Sequence, residues 1–160
     1  MEFNYLAILA ASAVPIVISL LWYHPKTLGI LWMRESGMTE EKFRSSNVAV
    51  IYGVSLLLAI VLAFSVQLLV IHQMGVYSLM GGNPEAALPS YQAFMDDYGT
   101  AFRTFKHGAL HGFLSALFLF FPVIAINALF ERRSWKYIFI NTGFWTLSLT
   151  IMGAIICGWN

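Results

Sequence analysis

Histidines and glycines interleave at four-residue spacing in Lys106-His107-Gly108-Ala109-Leu110-His111-Gly112. On a helix, residues four apart stack one turn above the other, so the two imidazoles share one face and the two glycines an adjacent stripe. A His-x-x-x-His pair of this kind offers two nitrogen ligands to Zn²⁺ or another metal that favours imidazole. His72 lies at the far end of the preceding apolar run, at the same depth if the two runs are antiparallel. His72, His107 and His111 are therefore the candidate metal ligands, with Asp96 or Asp97 available to orient a ring or to ligate. His72 paired with His107 or His111 also suits bis-histidine ligation of haem, which needs two rings on different helices. The same side chains suit a proton-responsive role, or a structural one that bridges helices by hydrogen bonds.

The glycines have their own reading. Gly108 and Gly112, extended by Ser115 and Ala116, form a small-residue stripe that admits a second helix at close range. Gly143, Gly153 and Gly158 do the same further on. The partner is either another helix of this chain or a second copy of it. Asn127 and Asn141 fall at similar depth on consecutive runs, where a mutual hydrogen bond would fix the register of a hairpin. With Gln67, Thr146, Ser148 and Thr150 they could instead mark polar steps in a solute path.

Composition decides the solvent. The 160 residues are 59% hydrophobic and 11% charged, with mean hydropathy +0.72. Soluble domains carry roughly 25% charged residues, so water could not cover this much apolar surface. Net charge of +1 provides no field for nucleic acid. A single cysteine, Cys157, excludes an internal disulfide and any multi-cysteine metal cluster. The apolar start has Glu2 and no preceding Lys or Arg, unlike a signal peptide, and reads as a retained membrane helix.

A spanning helix needs about 20 mostly apolar residues. Four runs qualify, at about 3–23, 47–74, 106–130 and 135–159. Pro15 should kink the first, and the length of the second implies tilt or protrusion. Glu131-Arg132-Arg133-Ser134 allows only a tight turn between the last two. The expected fold is an all-α, integral membrane four-helix bundle forming one domain. A short interfacial helix over Leu28–Met33 should separate helices 1 and 2, after a stop at His24-Pro25. Trp22, Tyr23 and Trp32 suit the headgroup level. Gly37 should interrupt that helix, with Thr39 and Asn47 capping the next two. The 75–105 loop holds a Gly81-Gly82-Asn83-Pro84 turn, then a short helix capped by Ser90 and ended by Gly99. Seven of the nine Lys and Arg fall on the side of the loops after the first and third spans, six in the loops and Lys136 at the start of the fourth span. The positive-inside rule then puts those loops in the cytoplasm and both termini outside.

What is missing narrows the chemistry. No Asp, Glu, Lys or Arg sits mid-span, which argues against ion-coupled transport. No Gly-x-Ser-x-Gly, His-Glu-x-x-His or phosphate-binding glycine loop occurs. Ser115 lies one turn from His111, but a Ser–His hydrolase also needs an oxyanion hole and an orienting group.

Several segments together carry a likeness. Leu21-Trp22-Tyr23-His24-Pro25, Leu28-Gly29-Ile30-Leu31-Trp32-Met33 and the 106–112 motif are followed by Asn127-Ala128-Leu129-Phe130-Glu131-Arg132-Arg133-Ser134-Trp135-Lys136. Ile140-Asn141, Met152-Gly153-Ala154 and Gly158-Trp159 complete the set. Nearly the whole chain resembles a family of small bacterial membrane proteins known as domain of unknown function 1761. The Phe-Glu-Arg-Arg-Ser-Trp-Lys turn is the most specific part. The family pattern more often has Ser than His before the first proline, which weighs against a shared role for His24. The resemblance implies four helices in a bacterial inner membrane and brings no activity. The leading expectation is a non-enzymatic bundle in the lipid bilayer that self-associates or joins a larger membrane complex through its glycine surfaces. The alternative is a metal-binding, haem-binding or solute-permeation protein using His72, His107 and His111 near the outer membrane face.

Overall fold

The computed structural model describes residues 4–81, 83, 85 and 87–159, and among these it contains helices and no strand. Four of the helices are long and apolar enough to cross a membrane: Tyr5–Trp22, Val48–Val70, Phe105–Phe130 and Trp135–Gly158. The first is α1. Two short helices follow, α2 (Gly29–Ser36) and α3 (Glu40–Arg44), then the second span α4. Next come α5 (Gln73–Leu79) and α6 (Pro89–Tyr98). The third span is built from α7 (Phe105–Ser115), a five-residue π segment (Ala116–Phe120) and α8 (Phe121–Phe130). The fourth is α9. Phe3, Gly82 and Pro84, part of the expected first span and turn, lie outside the described residues.

Side chains set most of the ends. Asn4, Thr39, Asn47, Thr104 and Ser134 each accept a hydrogen bond from a backbone N–H in the first turn of the helix that follows. Gly37 closes α2 in the left-handed conformation, at φ 69°. Thr27 lies at the end of α1 with its single hydroxyl proton in reach of the carbonyls of Leu21, Trp22 and His24. Pro15 lies within a continuous α1. At α6 the sequence reading is corrected. Pro89 occupies the first turn and Ser90 is already inside the helix, because proline's fixed φ suits that position.

The fourth span is the hub. α9 touches α1, α2, α4, α7 and α8. Of the four spans α9 is the most buried and α4 the least, so α4 is the span most given over to lipid. The tightest meeting is between α7 and α9. A Cβ on Gly108 would strike the Gly153 carbonyl, one on Gly112 the Leu149 carbonyl, and one on Gly153 the Gly108 carbonyl. The small-residue stripe is therefore used inside the chain, and it is not a free seam for a second copy. Gly158 likewise abuts Phe105. Around this seam Leu149, Met152, Ile156 and Cys157 pack with Ile8, Ala11, Ala63, Val66 and Val70. In lipid the apolar tails compete equally for such surfaces, so close packing, not transfer from water, holds them together.

Trp22, Tyr23 and Trp32 are half-buried and pack against the bundle. Gly143 leaves room for the Trp22 ring, whose Nε1 donates to the Ile140 carbonyl at 3.1 Å. The Tyr23 hydroxyl donates to Asn141 Oδ1 at 3.2 Å, and Trp32 meets the Tyr23 ring edge-on. Asn141 also donates to the Tyr137 carbonyl at 2.8 Å. The expected Asn127–Asn141 bond is therefore absent, since nearer groups hold Asn141. At the same end α2 is clamped to the turn before α9. Arg133 donates to the Ser36 carbonyl at 2.7 Å, and Ser134 Oγ donates to the Glu35 carboxylate. The Ser134 hydrogen bond, then that from Arg34, holds the Glu35 carboxyl below its ordinary value of 4.5.

Two outcomes follow from this packing. Gly108→Val should lower stability by about 3 kcal/mol through overpacking, read as a fall in the melting midpoint of detergent-purified protein. Gly53→Ala and Gly75→Ala, where a Cβ meets open space, should leave the midpoint nearly unchanged. Because the folded Glu35 pKa is depressed, its contribution is present above the unfolded pKa and lost as pH falls through the folded one. Melting followed from about pH 6 to about pH 3 should therefore show an acid-side decline that Glu35→Gln flattens.

Candidate metal centre

The apolar run expected over 47–74 is not one helix. α4 stops at Val70, Ile71 is extended (φ −111°, ψ 101°), and His72 begins the turn into α5. The next residue explains the break. Gln73 is buried, and its Nε2 donates to the carbonyls of Tyr98 at 2.7 Å and Ala101 at 2.9 Å. A straight helix would carry this amide along α4; the break turns it toward the loop that leads into α7. That loop is pinned from the other side by α9. Cys157 Sγ lies 3.3 Å from the Val70 carbonyl and 3.4 Å from the Phe102 carbonyl, and Arg103 Nε donates to the Cys157 carbonyl at 3.1 Å.

α7 then begins at a fixed place. Thr104 accepts from the His107 N–H at 3.2 Å, so His107 stands in the first turn and His111 one turn further. The glycine contact with α9 sets the rotation of α7. Together these constraints bring the three histidines to one point. A ligand nitrogen of each of His72, His107 and His111 lies within 4.8 Å of the others. His72 Nε2 and His107 Nε2 are 3.0 Å apart, a hydrogen bond whose direction follows the tautomer. The ring centroids are separated by 4.4 Å for His107–His111 and 4.9 Å for the other two pairs. His72 is exposed and the other two are partly buried.

Phe102 roofs the cluster. Its ring stacks on His107 at 5.0 Å and 29°, and it meets His72 edge-on at 6.1 Å. Its backbone is left-handed at φ 61°, which costs a residue with a Cβ about 1–2 kcal/mol. Phe102, Gln73 and Cys157 do not stand out in the sequence as parts of this site. Gln73, a lone amide beside a histidine at the end of an apolar run, offered the one usable signal.

Other candidates separate from the cluster. Asp96 accepts from Gln92 within α6 at 2.7 Å, and neither Asp96 nor Asp97 joins the three-histidine group. Ser115 Oγ donates to the His111 backbone carbonyl at 2.7 Å, so it is not aligned as a nucleophile on the ring. Thr146 and Thr150 donate back to α9 carbonyls, at 2.8 and 2.7 Å, and Gln67 reaches the Met74 sulfur. These groups satisfy themselves locally, whereas the buried Ser148 hydroxyl has no partner among the described residues.

The chain matches the family described as "Protein of unknown function (DUF1761)" over residues 6–157. It belongs to the DUF1761 family. The match takes in all three histidines, the glycine seam and the Glu131–Ser134 turn, so the fold and the candidate site both fall inside the DUF1761 region. No curated protein and no solved structure matches the chain.

If Phe102 is held in a strained backbone, Phe102→Gly should be more stable than Phe102→Ala by about 1 kcal/mol, since both lose the ring and only glycine accepts this φ freely. Denaturation midpoints of the two variants decide it, and equal midpoints would remove the strain.

Proposed function

We propose that this membrane protein binds a first-row divalent metal ion, with Zn²⁺ the type case, through His72, His107 and His111. The observation that carries the reading is the convergence of three imidazoles from two separate elements, with a ligand nitrogen of each within 4.8 Å of the others. Nitrogens bound tetrahedrally at 2.0–2.1 Å from zinc stand about 3.3 Å apart. The 3.0 Å His72–His107 separation is close to that already. Three nitrogens leave a fourth position open, as in sites that also take water or an exchanging ligand. No carboxylate joins the group, so the bound ion keeps its charge for that fourth ligand.

Haem fits less well. Its axial nitrogens must stand on opposite sides of a flat macrocycle, whereas His72 and His107 are in direct contact. Self-association has lost the surface that suggested it, because the α7 and α9 glycines face each other within the chain. Seven of the nine basic residues gather at the opposite end of the bundle. By the positive-inside rule this supports a bacterial inner-membrane protein with both termini and the histidines on the outer side. The role is that of a non-enzymatic binder or carrier of the ion.

Purified full-length protein should carry about one Zn²⁺ per chain by elemental analysis, with no Soret band. Added Zn²⁺ at about a hundred times its Kd should stabilise the fold by about 2.7 kcal/mol, and Co²⁺ should give tetrahedral visible bands. His107→Ala with His111→Ala should abolish all three signals. Unchanged signals in that double variant, or their absence from the parent, would reject the site.

A further inference from the structure

The spans that close on one another at the histidine end part at the basic end. α7 is pressed onto α9 at Gly108 and Gly112. The π segment then intervenes, and it ends where Pro122 brings a ring and no N–H. Beyond it, α8 meets α9 in a separate small cluster of Ala125, Ala128 and Ile138. Beside that cluster lies a cleft of about 230 Å³, lined by Ile124, Asn127, Glu131, Tyr137, Asn141 and Trp145 among others. At 1.5 Å per residue, Trp145 lies about 15 Å from the start of α9, half of a 30 Å hydrocarbon core, while Glu131 sits at its edge.

The polar groups of this cleft are unevenly satisfied. Asn141 is held by Tyr23 and the Tyr137 carbonyl, and Glu131 pairs with Arg133 at 3.3 Å. The Asn127 side-chain amide and the Trp145 indole N–H have no hydrogen-bond partner among the described residues. Asn127 is exposed and stands on a membrane span, one turn inside the end that Glu131 marks. Two donors at different depths, a neutralised charge pair at the mouth and an apolar wall at Ile124 describe one kind of occupant. We infer that the cleft binds the uncharged, carbonyl-bearing head of a membrane-dissolved amphiphile, which enters from the lipid between α8 and α9. Carbonyl oxygens of the head accept from Asn127 near the mouth and from Trp145 deeper in, and the apolar body lies along Ile124 and out into the bilayer. The volume is below the roughly 300–1,000 Å³ of drug-sized sites, which suits a compact head and not a whole lipid. A glycerolipid ester and a quinone ring both present this chemistry. Asn127, at the mouth of the site, is about 30 Å along the third span from His107 at 1.5 Å per residue, and the site does not rest on the histidine cluster.

The test is equilibrium binding of radiolabelled decylubiquinone and radiolabelled dioctanoylglycerol to the full chain in phosphatidylcholine nanodiscs. Saturable binding of one probe, one per chain, is expected, and which probe binds identifies the source. Asn127→Leu, at an exposed position that leaves packing intact, and Trp145→Phe, which keeps the ring and drops the N–H, should each weaken it about tenfold. His107→Ala should leave it unchanged. Saturable binding of neither probe, or binding that both cleft variants leave unchanged, overturns the inference.

Discussion

Two helices with their backbones in contact organise this protein. Gly108 and Gly112 let α7 lie against α9 at Gly153 and Leu149, closer than any side chain would permit. Hydrophobic burial cannot explain that pairing inside a bilayer, where lipid tails serve an apolar side chain as well as a neighbour does. Backbone proximity can, because it multiplies short-range contacts that lipid cannot match. Everything at the histidine end inherits its position from this seam. It sets the rotation of α7, so that His107 and His111 face α4, and it brings Cys157 within reach of both Val70 and Phe102.

The two ends of the bundle are built on opposite principles. At the histidine end the helices close up and the polar side chains converge on one another. At the basic end, beyond the π segment and Pro122, α8 meets α9 in a smaller side-chain cluster, and Asn141, Arg133 and Ser134 are tied to α1 and α2. The Trp22 and Tyr23 contacts with Ile140 and Asn141 tie the first span to α9 at this end.

The architecture was legible in the sequence because lipid imposes long apolar runs and short capped turns. Thr39, Asn47 and Gly37 announced helix ends that the structure places as expected. Three histidines at one depth could be read from span direction alone, and so could the glycine stripe, though not which partner it faced. What stayed hidden depends on contacts between distant residues. Val48 to Met74 is apolar throughout apart from a few polar side chains, so composition gave no reason to break it at Ile71. The reason is the Gln73 amide and carbonyls some 25 residues away. The left-handed Phe102 and the π segment likewise follow from three-dimensional packing, although Pro122 marked where regular helical bonding would fail. The Asn127–Asn141 pairing failed because matched depth does not fix which way an amide turns.

One consequence of the hub arrangement concerns biosynthesis. α9 is the last span in the described chain to leave the ribosome, yet it is the chief partner of α7, while α1 and α4 also pack on each other. Until translation delivers it, α7 must rest in the membrane without its chief partner, beside an α1 and α4 that can already pair. The sparse burial of α4 is what such waiting requires: a segment content with acyl chains on nearly every side is in no danger of clumping while the nascent polypeptide is incomplete.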